Sequence, residues 1–162
     1  MPDGTEIRFF RDSVAGRRGE ILDAATTVFY RRGYDAGTMR EIAEAVGVSE
    51  PALYRHFTGK EDLFDEIIRQ AGARVRSEVV PAIESAGPTE VRRVIRELVA
   101  DRRTVTTTYL PVIQTVMLAS VHNEHFLSVY RDSFTTPLTD RLLGVVRALD
   151  EHFGVAVPEQ EL

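Results

Sequence analysis

Residues 38–60, which read TMREIAEAVGVSEPALYRHFTGK, constrain the fold more than any other part of the chain. Their first half predicts a short amphipathic helix, because four apolar residues recur at helical spacing. These residues are Met39, Ile42, Ala43 and Val46. Thr38 and Glu41 match the capping-box pattern at the start of this helix. Gly47 follows its last apolar residue, where a helix commonly ends at a residue with positive φ.

The second half of the stretch predicts another short helix, which starts at Ser49 and runs through His56. Serine is a preferred N-cap residue, and the following Pro51 lies in the first turn, where a missing N–H costs little. Leu53 and Phe57 are expected to return to the core. Two short helices around a glycine turn form a helix-turn-helix, and the small and hydrogen-bonding side chains on the outer face of the second helix suit insertion into a DNA major groove.

A longer helix should follow, with a second capping box formed by Thr58 and Glu61 at its start. We expect it to run from about residue 60 to 80 and to end or kink at Pro81. Beyond it, helical periodicity predicts three further segments. They cover residues 89–103, a nearly continuous apolar and buried helix at 110–121, and a long stretch at 124–152 that bends near Pro137.

These patterns predict an all-α fold with three parts. Residues 1–14 are expected to be a flexible arm, residues 15–62 a three-helix DNA-binding domain, and residues 63–162 a C-terminal helical bundle. No apolar run approaches the length needed to cross a membrane. Cysteine is absent, which excludes disulfides and thiolate metal sites. The net charge of −5 lies in residues 61–162, since residues 1–60 carry nine basic and nine acidic side chains.

Residues 21–68, ILDAATTVFYRRGYDAGTMREIAEAVGVSEPALYRHFTGKEDLFDEII, resemble the TetR family of bacterial transcriptional regulators. The resemblance implies an all-helical homodimer that binds double-stranded operator DNA through its N-terminal domain and a small-molecule effector through its C-terminal domain. Family members usually continue beyond the position of Leu162 with two helices that pack against a second subunit. Either the chain is truncated there or it dimerises through a smaller surface.

The resemblance also assigns roles to single residues in the DNA-binding domain. Thr38, Tyr54, His56 and Lys60 match positions that contact phosphate in the family. The groove-facing side of the second short helix carries Ser49, Glu50, Ala52 and Arg55. Arg55 is the best base reader, because a guanidinium can bond a guanine edge in bidentate fashion, although a phosphate contact is the alternative for it and for Arg40. Glu50 either accepts from cytosine or caps its helix.

A ligand pocket is expected between the helices of the C-terminal bundle, residues 63–162. Aromatic and methionine side chains with one or two polar groups suit a small, mostly apolar effector, although each of them also fits an ordinary core. The candidate lining residues are Tyr109, Gln114, Met117, Leu118, Phe126, Tyr130 and Phe134.

Metal binding and catalysis have little support in the sequence. His122 and His125 are three residues apart, with Glu124 between them, but a third strong ligand is missing, so we interpret them as a polar helix junction rather than a metal site. We therefore expect no metal and no cofactor. The Gly-Lys pair at 59–60 lacks the upstream glycine of a phosphate-binding loop. The chain is not expected to be an enzyme.

The predicted function is a cytoplasmic, ligand-responsive transcriptional repressor that binds a pseudo-palindromic operator as a homodimer. Two alternatives stay open. One is an activator or a ligand-independent regulator of the same fold. The other is a small-molecule-binding helical protein or an enzyme whose DNA-binding domain is degenerate.

Overall fold

The computed structural model describes residues 6–85, 93, 96 and 105–153, and all of its regular secondary structure there is helical. Seven α-helices are defined in this part of the chain. They are α1 (Arg17–Arg32), α2 (Met39–Val46), α3 (Glu50–Leu53), α4 (Lys60–Ser85), α5 (Leu110–Val121), α6 (Glu124–Tyr130) and α7 (Thr136–Phe153). The all-α prediction is confirmed. The helix predicted at 89–103 lies outside the described residues, apart from Arg93 and Arg96.

Helices α1 to α4 surround one apolar core. It takes the inner stripe of α1 and the first turns of α4, as the helical periodicity predicts. The fully or almost fully buried side chains of these two stripes are Ile21, Leu22, Ala25, Phe29, Leu63, Phe64, Ile67, Ile68 and Ala71. Leu53 and Phe57 return to this core from α3 and the turn after it. We call residues 6–68 the head, because this core unites them.

Residues 6–14 are packed against α1, so the prediction of a flexible arm is wrong for them. The side chains of Ile7, Phe9 and Phe10 are at most 1% exposed. The N–H groups of Phe9 and Phe10 each donate to Oδ1 of Asp23 at 2.7 Å, and Arg11 Nε lies 3.2 Å from Oδ2 of the same carboxylate. Burial raises the pKa of Asp23, against the opposing effect of these bonds. A buried acceptor thus satisfies amides that would otherwise need water.

Helix α4 connects the head to the rest of the described chain. We call residues 105–153 the second part. It continues through Pro81 to Ser85, so the prediction that it ends near residue 80 is wrong. Gly72 lies in its middle, where a Cβ atom would come within 2.5 Å of the carbonyl oxygen of Ser133. The second part therefore approaches the α4 backbone closely at this glycine.

An aromatic cluster of four rings joins the two parts. Phe64 of α4 lies at its centre, with ring centroids 5.4 Å from Phe29, 4.9 Å from Tyr34 and 4.7 Å from Phe126. Phe126 comes from α6 and is fully buried. Edge and tilted ring contacts of this kind stabilise beyond the area that they bury. The second part is thus anchored in the core of the head.

Helix α5 was predicted to be buried, but the structure buries only one face. Val112 and Val116 are at most 1% exposed, whereas Met117, Leu118 and Val121 are 48%, 70% and 69% exposed. An apolar run does not show which faces of a helix find a partner, because that depends on the neighbouring elements. The uniform burial predicted for residues 110–121 is therefore wrong.

The predicted helical stretch at 124–152 is divided in the structure. A π-helical segment, Arg131–Thr135, joins α6 to α7 just before Pro137, where the sequence predicts a bend. A second π-helical segment, Val105–Tyr109, precedes α5. Within residues 6–85 and 105–153, no helix has the length and apolarity needed to cross a lipid bilayer.

Candidate nucleic-acid interface

Helix α2 begins and ends as the sequence predicts. The Thr38 hydroxyl accepts from the N–H of Glu41 at 3.2 Å, and the Glu41 carboxylate accepts from the N–H of Thr38 at 3.0 Å. The bonds that the Thr38 hydroxyl and the Thr38 N–H donate to the carboxylate lower the pKa of Glu41. Gly47 ends the helix with a φ of 74°, which favours glycine. Both the capping box and the turn are therefore confirmed.

The recognition element is shorter than predicted. Helix α3 covers only Glu50–Leu53, and residues 54–56 form a turn closed by the N–H of Phe57, which donates to the carbonyl of Leu53 at 3.0 Å. Ser49 occupies the N-cap position with extended backbone but makes no side-chain capping bond. The helix predicted to run through His56 is thus one helical turn followed by a tight turn.

Three consecutive side chains project outward from this turn. Tyr54 is 50% exposed, and Arg55 and His56 are also exposed, while the flanking Leu53 and Phe57 are buried at 0% and 1%. The two buried anchors fix the backbone on both sides, so the exposed side chains between them share one surface. Ser49 is exposed beside them, and Glu50 and Ala52 are partly buried.

Arg18 of α1 holds the end of this turn. Its guanidinium donates to the carbonyl of His56 at 3.0 Å and lies 4.4 Å from the ring centroid of Phe57. Its other terminal nitrogen is 3.3 Å from a carboxylate oxygen of Glu66 in α4. One arginine therefore connects the recognition element to both long helices of the head. The sequence analysis missed this role, since no spacing pattern links residue 18 to residue 56.

Lys60 holds the loop that leads into α2. Its ammonium donates to the carbonyls of Tyr34, Asp35 and Gly37 at 3.0, 3.1 and 3.2 Å, and it lies 4.6 Å from the ring centroid of Tyr34. An ammonium has three donors, and all three are used here. A direct phosphate contact would have to replace one of these bonds. The phosphate role implied for Lys60 remains a prediction, alongside the positioning role that its bonds support.

The start of α4 is capped by a different residue from the one predicted. Thr58 donates through its N–H and its hydroxyl to Oδ2 of Asp62, at 2.8 and 3.1 Å, instead of pairing with Glu61. The predicted capping box at Thr58 and Glu61 is therefore wrong. The aspartate one position later takes its place.

Thr38 and Arg40 are already engaged with acidic neighbours. The hydroxyl of Thr38 also donates to the carboxylate of Glu41 at 3.0 Å. The Arg40 side chain is 78% exposed and pairs with Glu44 at 2.9 Å. An ion pair that exposed is weak, so phosphate can compete for Arg40 more readily than for Lys60.

The ligand pocket expected between the helices of the C-terminal bundle stays a prediction, and the structure gives the surroundings of several of its candidate lining residues. Tyr109 packs edge-on against Phe9 with ring centroids 5.4 Å apart, and Tyr130 stacks on Phe134 at 5.0 Å. Phe126 belongs to the aromatic cluster, and Met117 is 48% exposed. Gln114 and Leu118 do line a cleft of about 490 Å³, but this cleft lies at the junction with the head.

The two histidines considered for metal binding have separate surroundings. His125 Nε2 lies 2.9 Å from both carboxylate oxygens of Asp65 in α4, and Arg69 donates to that carboxylate at 3.2 Å. His122 faces the junction cleft instead. Over residues 6–85 and 105–153, no group of three or more His, Asp or Glu side chains is arranged to hold a metal ion.

The head is similar to a known family of proteins. Residues 21–67 match the family model described as bacterial regulatory proteins, tetR family. Over 55 residues, the chain is 51% identical to the HTH-type transcriptional repressor KstR2 of Rhodococcus jostii, and the match covers 34% of this chain and 27% of that protein. It is 48% identical over 54 residues to the transcriptional activator FasR of Mycolicibacterium smegmatis, covering 33% and 25% of the two chains. The matched segment thus spans about a quarter of these relatives.

Solved structures extend the likeness to the whole fold. A transcriptional regulator from Pseudomonas aeruginosa PAO1 superposes with a TM-score of 0.76 at 24% identity and covers 95% of this chain and 74% of its own. The TetR family regulator PfmR from Thermus thermophilus superposes with a TM-score of 0.65 at 28% identity, covering 86% and 75%. The sequence match and the helix-turn-helix geometry agree, and residues 21–67 of this chain are similar to the N-terminal domain of TetR-family regulators.

Proposed function

We propose that this chain is a cytoplasmic transcriptional regulator that binds a pseudo-palindromic operator as a homodimer and responds to a small-molecule effector. The observation that carries the proposal is the exposed Tyr54-Arg55-His56 turn, held by Arg18 at its end and flanked by buried anchors. A rigid base under exposed donors is what recognition of a duplex needs, since phosphate contacts position a protein and base contacts specify its sequence.

Each exposed residue of the turn has a distinct proposed role. Arg55 reads a base edge, and Tyr54 and His56 contact the phosphates beside it. Arg40 adds a phosphate or base contact by exchanging its exposed bond to Glu44. The backbone N–H groups in the first turn of α2 support a further phosphate contact, since the Thr38 hydroxyl is used in capping.

A dimer is proposed because one small head contacts too few base pairs for selective binding. Two heads related by a twofold axis would reach successive major grooves about one helical turn apart, roughly 34 Å. The effector would favour one head spacing over another, which requires unequal affinity for the two states. We propose that the chain represses transcription, as KstR2 does. Activation is the second candidate, since the similar protein FasR is an activator.

The test is a gel-shift titration with DNA from upstream of the chain's own gene, compared with unrelated DNA of equal length. Wild-type protein should prefer the upstream fragment. Arg55→Ala should weaken that complex by about 1–3 kcal/mol and relax the preference at one base pair in each half-site. Arg131→Ala removes an equal charge from an exposed position of the second part and should leave affinity unchanged.

Two results would count against the proposal in different ways. Equal wild-type affinity for both DNAs would contradict sequence-specific regulation through this region. An equal loss for Arg55→Ala on every sequence would leave the regulator role in place and assign Arg55 to phosphate.

A further inference from the structure

A cleft of about 490 Å³ lies between the head and α5. The end of α1 and the loop after it, residues 29–36, form one wall, and residues 114–123 of α5 and the turn after it form the other. Clefts at the contact between two parts of a protein are common places for small ligands. Two of its lining residues, Gln114 and Leu118, belong to the pocket that the sequence predicts between the helices of the C-terminal bundle, but this cleft lies beside the head.

The α5 wall has a polar-apolar-polar pattern. Gln114, Leu118 and His122 are spaced by four residues, so they lie on one face of the helix, with about 12 Å of helix axis between the first and the last. Leu118 is 70% exposed although it is apolar. The Gln114 side chain has no hydrogen-bond partner among the residues that the structure describes. Among the described residues, the only hydrogen-bond contact of the His122 ring is between its Nδ1 atom and the Leu118 carbonyl oxygen, at 3.4 Å.

The head wall carries three aromatic side chains, and its two charged residues, Arg32 and Asp35, are of opposite sign. Phe29 and Tyr34 belong to the aromatic cluster that joins the two parts, so this wall is firmly supported. The guanidinium of Arg32 is paired with Glu41, and Asp35 is the acidic group on the same wall. An ionic ligand would therefore find no single strong counter-charge, and an uncharged ligand fits better.

We propose that this junction cleft binds an uncharged, elongated and mostly apolar small molecule that carries a hydrogen-bonding group at each end. Its middle would cover Leu118, while its ends would bond to Gln114 and His122. Such a molecule would remove apolar surface from water and supply partners to polar groups that lack strong ones.

The cleft is placed to influence DNA binding. Its head wall includes Tyr34 and Asp35, whose carbonyls are held by Lys60, and Gly37 of the same loop directly precedes the Thr38 cap of α2. A molecule that contacts both this loop and α5 binds with different affinity when the head moves, which is the condition for coupling. This coupling rests on the proposed regulatory function, whereas binding to the cleft does not.

The binding test is calorimetric titration of the full chain with a biphenyl that carries a para hydroxyl group on each ring, compared with unsubstituted biphenyl. The hydroxylated probe should bind more tightly. Leu118→Arg should weaken its binding by roughly tenfold or more by filling the cleft. Met117→Arg, the same change at an exposed neighbour outside the cleft, should leave binding within about twofold. His122→Ala should weaken the hydroxylated probe by about fivefold and leave biphenyl unaffected.

Melting temperatures of the variants show whether each still folds, and both arginine substitutions replace exposed side chains. The proposal is overturned if the hydroxylated probe gives no binding up to its solubility limit. It is also overturned if Leu118→Arg and Met117→Arg have the same effect.

Operator binding separates this inference from the proposed function. The hydroxylated probe should change the gel-shift midpoint of the wild type and not that of Leu118→Arg. Binding of the probe with an unchanged midpoint on the upstream DNA would overturn the coupling. Selective operator binding by a protein that does not bind the probe would overturn the cleft site and its coupling and leave the regulator proposal in place. Absence of selective operator binding would overturn the regulator proposal and the coupling and leave the cleft site in place.

Discussion

The head and the second part of this molecule bury their apolar side chains very differently. Among the described residues, the largest side chains under 2% exposed come almost entirely from the head and α4, and Phe126 is the exception from the second part. Large exposed apolar side chains concentrate instead on α5 and α6, at Leu110, Met117, Leu118, Val121 and Leu127. The head thus holds its own core, whereas the second part relies on α4 and the head for much of its burial.

Polar contacts between residues distant in sequence hold both parts, as when the Arg76 guanidinium donates to the carbonyl of Ser133. The head is held by long-range polar clamps, in which Arg18, Asp23 and Lys60 each bond to backbone groups distant in sequence. Such clamps fix loops that carry function, because each loop group that is bonded loses its freedom to move. We therefore expect changes in the head to affect both stability and DNA binding, and changes on α5 to affect ligand binding first.

Phe64→Ala should have the largest effect, since this ring lies at the centre of the cluster that joins the two parts. Truncation of a buried phenylalanine costs about 3–5 kcal/mol of unfolding free energy. Leu118→Ala, at a side chain that is 70% exposed, should change the unfolding free energy by less than about 0.5 kcal/mol. Urea unfolding of both variants measures this contrast. Similar losses for the two would contradict the unequal burial of head and second part.

Lys60→Met tests whether the lysine positions the loop or contacts DNA. Loss of its bonds to three carbonyls should lower the unfolding free energy by roughly 1.5–3 kcal/mol. If the lysine only positions the loop, the slope of log affinity against log salt should be unchanged. Arg40→Met should show the reverse pattern, with little loss of stability and a slope lower by about one for each phosphate that the protein no longer neutralises. A lower slope for Lys60→Met would restore its role as a phosphate contact.

Gly72→Ala tests the close approach between α4 and the second part. The added Cβ would meet the Ser133 carbonyl at 2.5 Å, so we expect a loss of about 1–3 kcal/mol from forced displacement. Gly144→Ala, in α7, meets no atom within 4 Å and should stabilise the protein by up to about 1 kcal/mol through helix propensity. Thermal unfolding of the pair gives the comparison. A stabilising Gly72→Ala would mean that the two parts are not closely packed there.

Gly47→Ala tests the left-handed backbone conformation at the turn after α2 and should have the smallest effect. Neither Gly47 nor Gly59 has an atom within 4 Å of an added Cβ, but only Gly47 has a positive φ, of 74°. The left-handed conformation should cost alanine about 1–2 kcal/mol, and Gly59→Ala should be close to neutral. Chemical denaturation resolves a difference of this size. Equal stability of the two variants would show that Gly47 is not needed for the turn.

Predictions made from the sequence were most accurate where structure depends on residues three or four apart. The Thr38 capping box and the Gly47 turn are both confirmed. These features involve one helical turn of backbone, so the identities of near neighbours are enough to specify them. The all-α fold and the TetR-type head follow from the same local patterns. The roles of Arg55, Tyr54 and His56 in DNA contact stay predictions.

Predictions were poorer wherever the partner of a residue is distant along the chain. The burial of Phe9 and Phe10 depends on Asp23, and the burial of one face of α5 depends on what packs beside it. The capping of α4 shows a second limit at short range, since Thr58 donates to Asp62 and not to the predicted Glu61. Composition and periodicity show that a group needs a partner without showing which partner it will have.

The sequence by itself determined the helix-turn-helix, its glycine turn and the exposed Tyr54-Arg55-His56 sequence, because these are properties of short segments. Only the tertiary structure decided that Arg18 and Lys60 clamp the recognition element and the loop before α2, and that Gln114, Leu118 and His122 face a cleft beside the head. The physical reason is that a hydrogen bond or a cleft wall requires groups within a few ångströms of each other. Across separations of 20 residues or more, only the packing of the helices establishes that proximity.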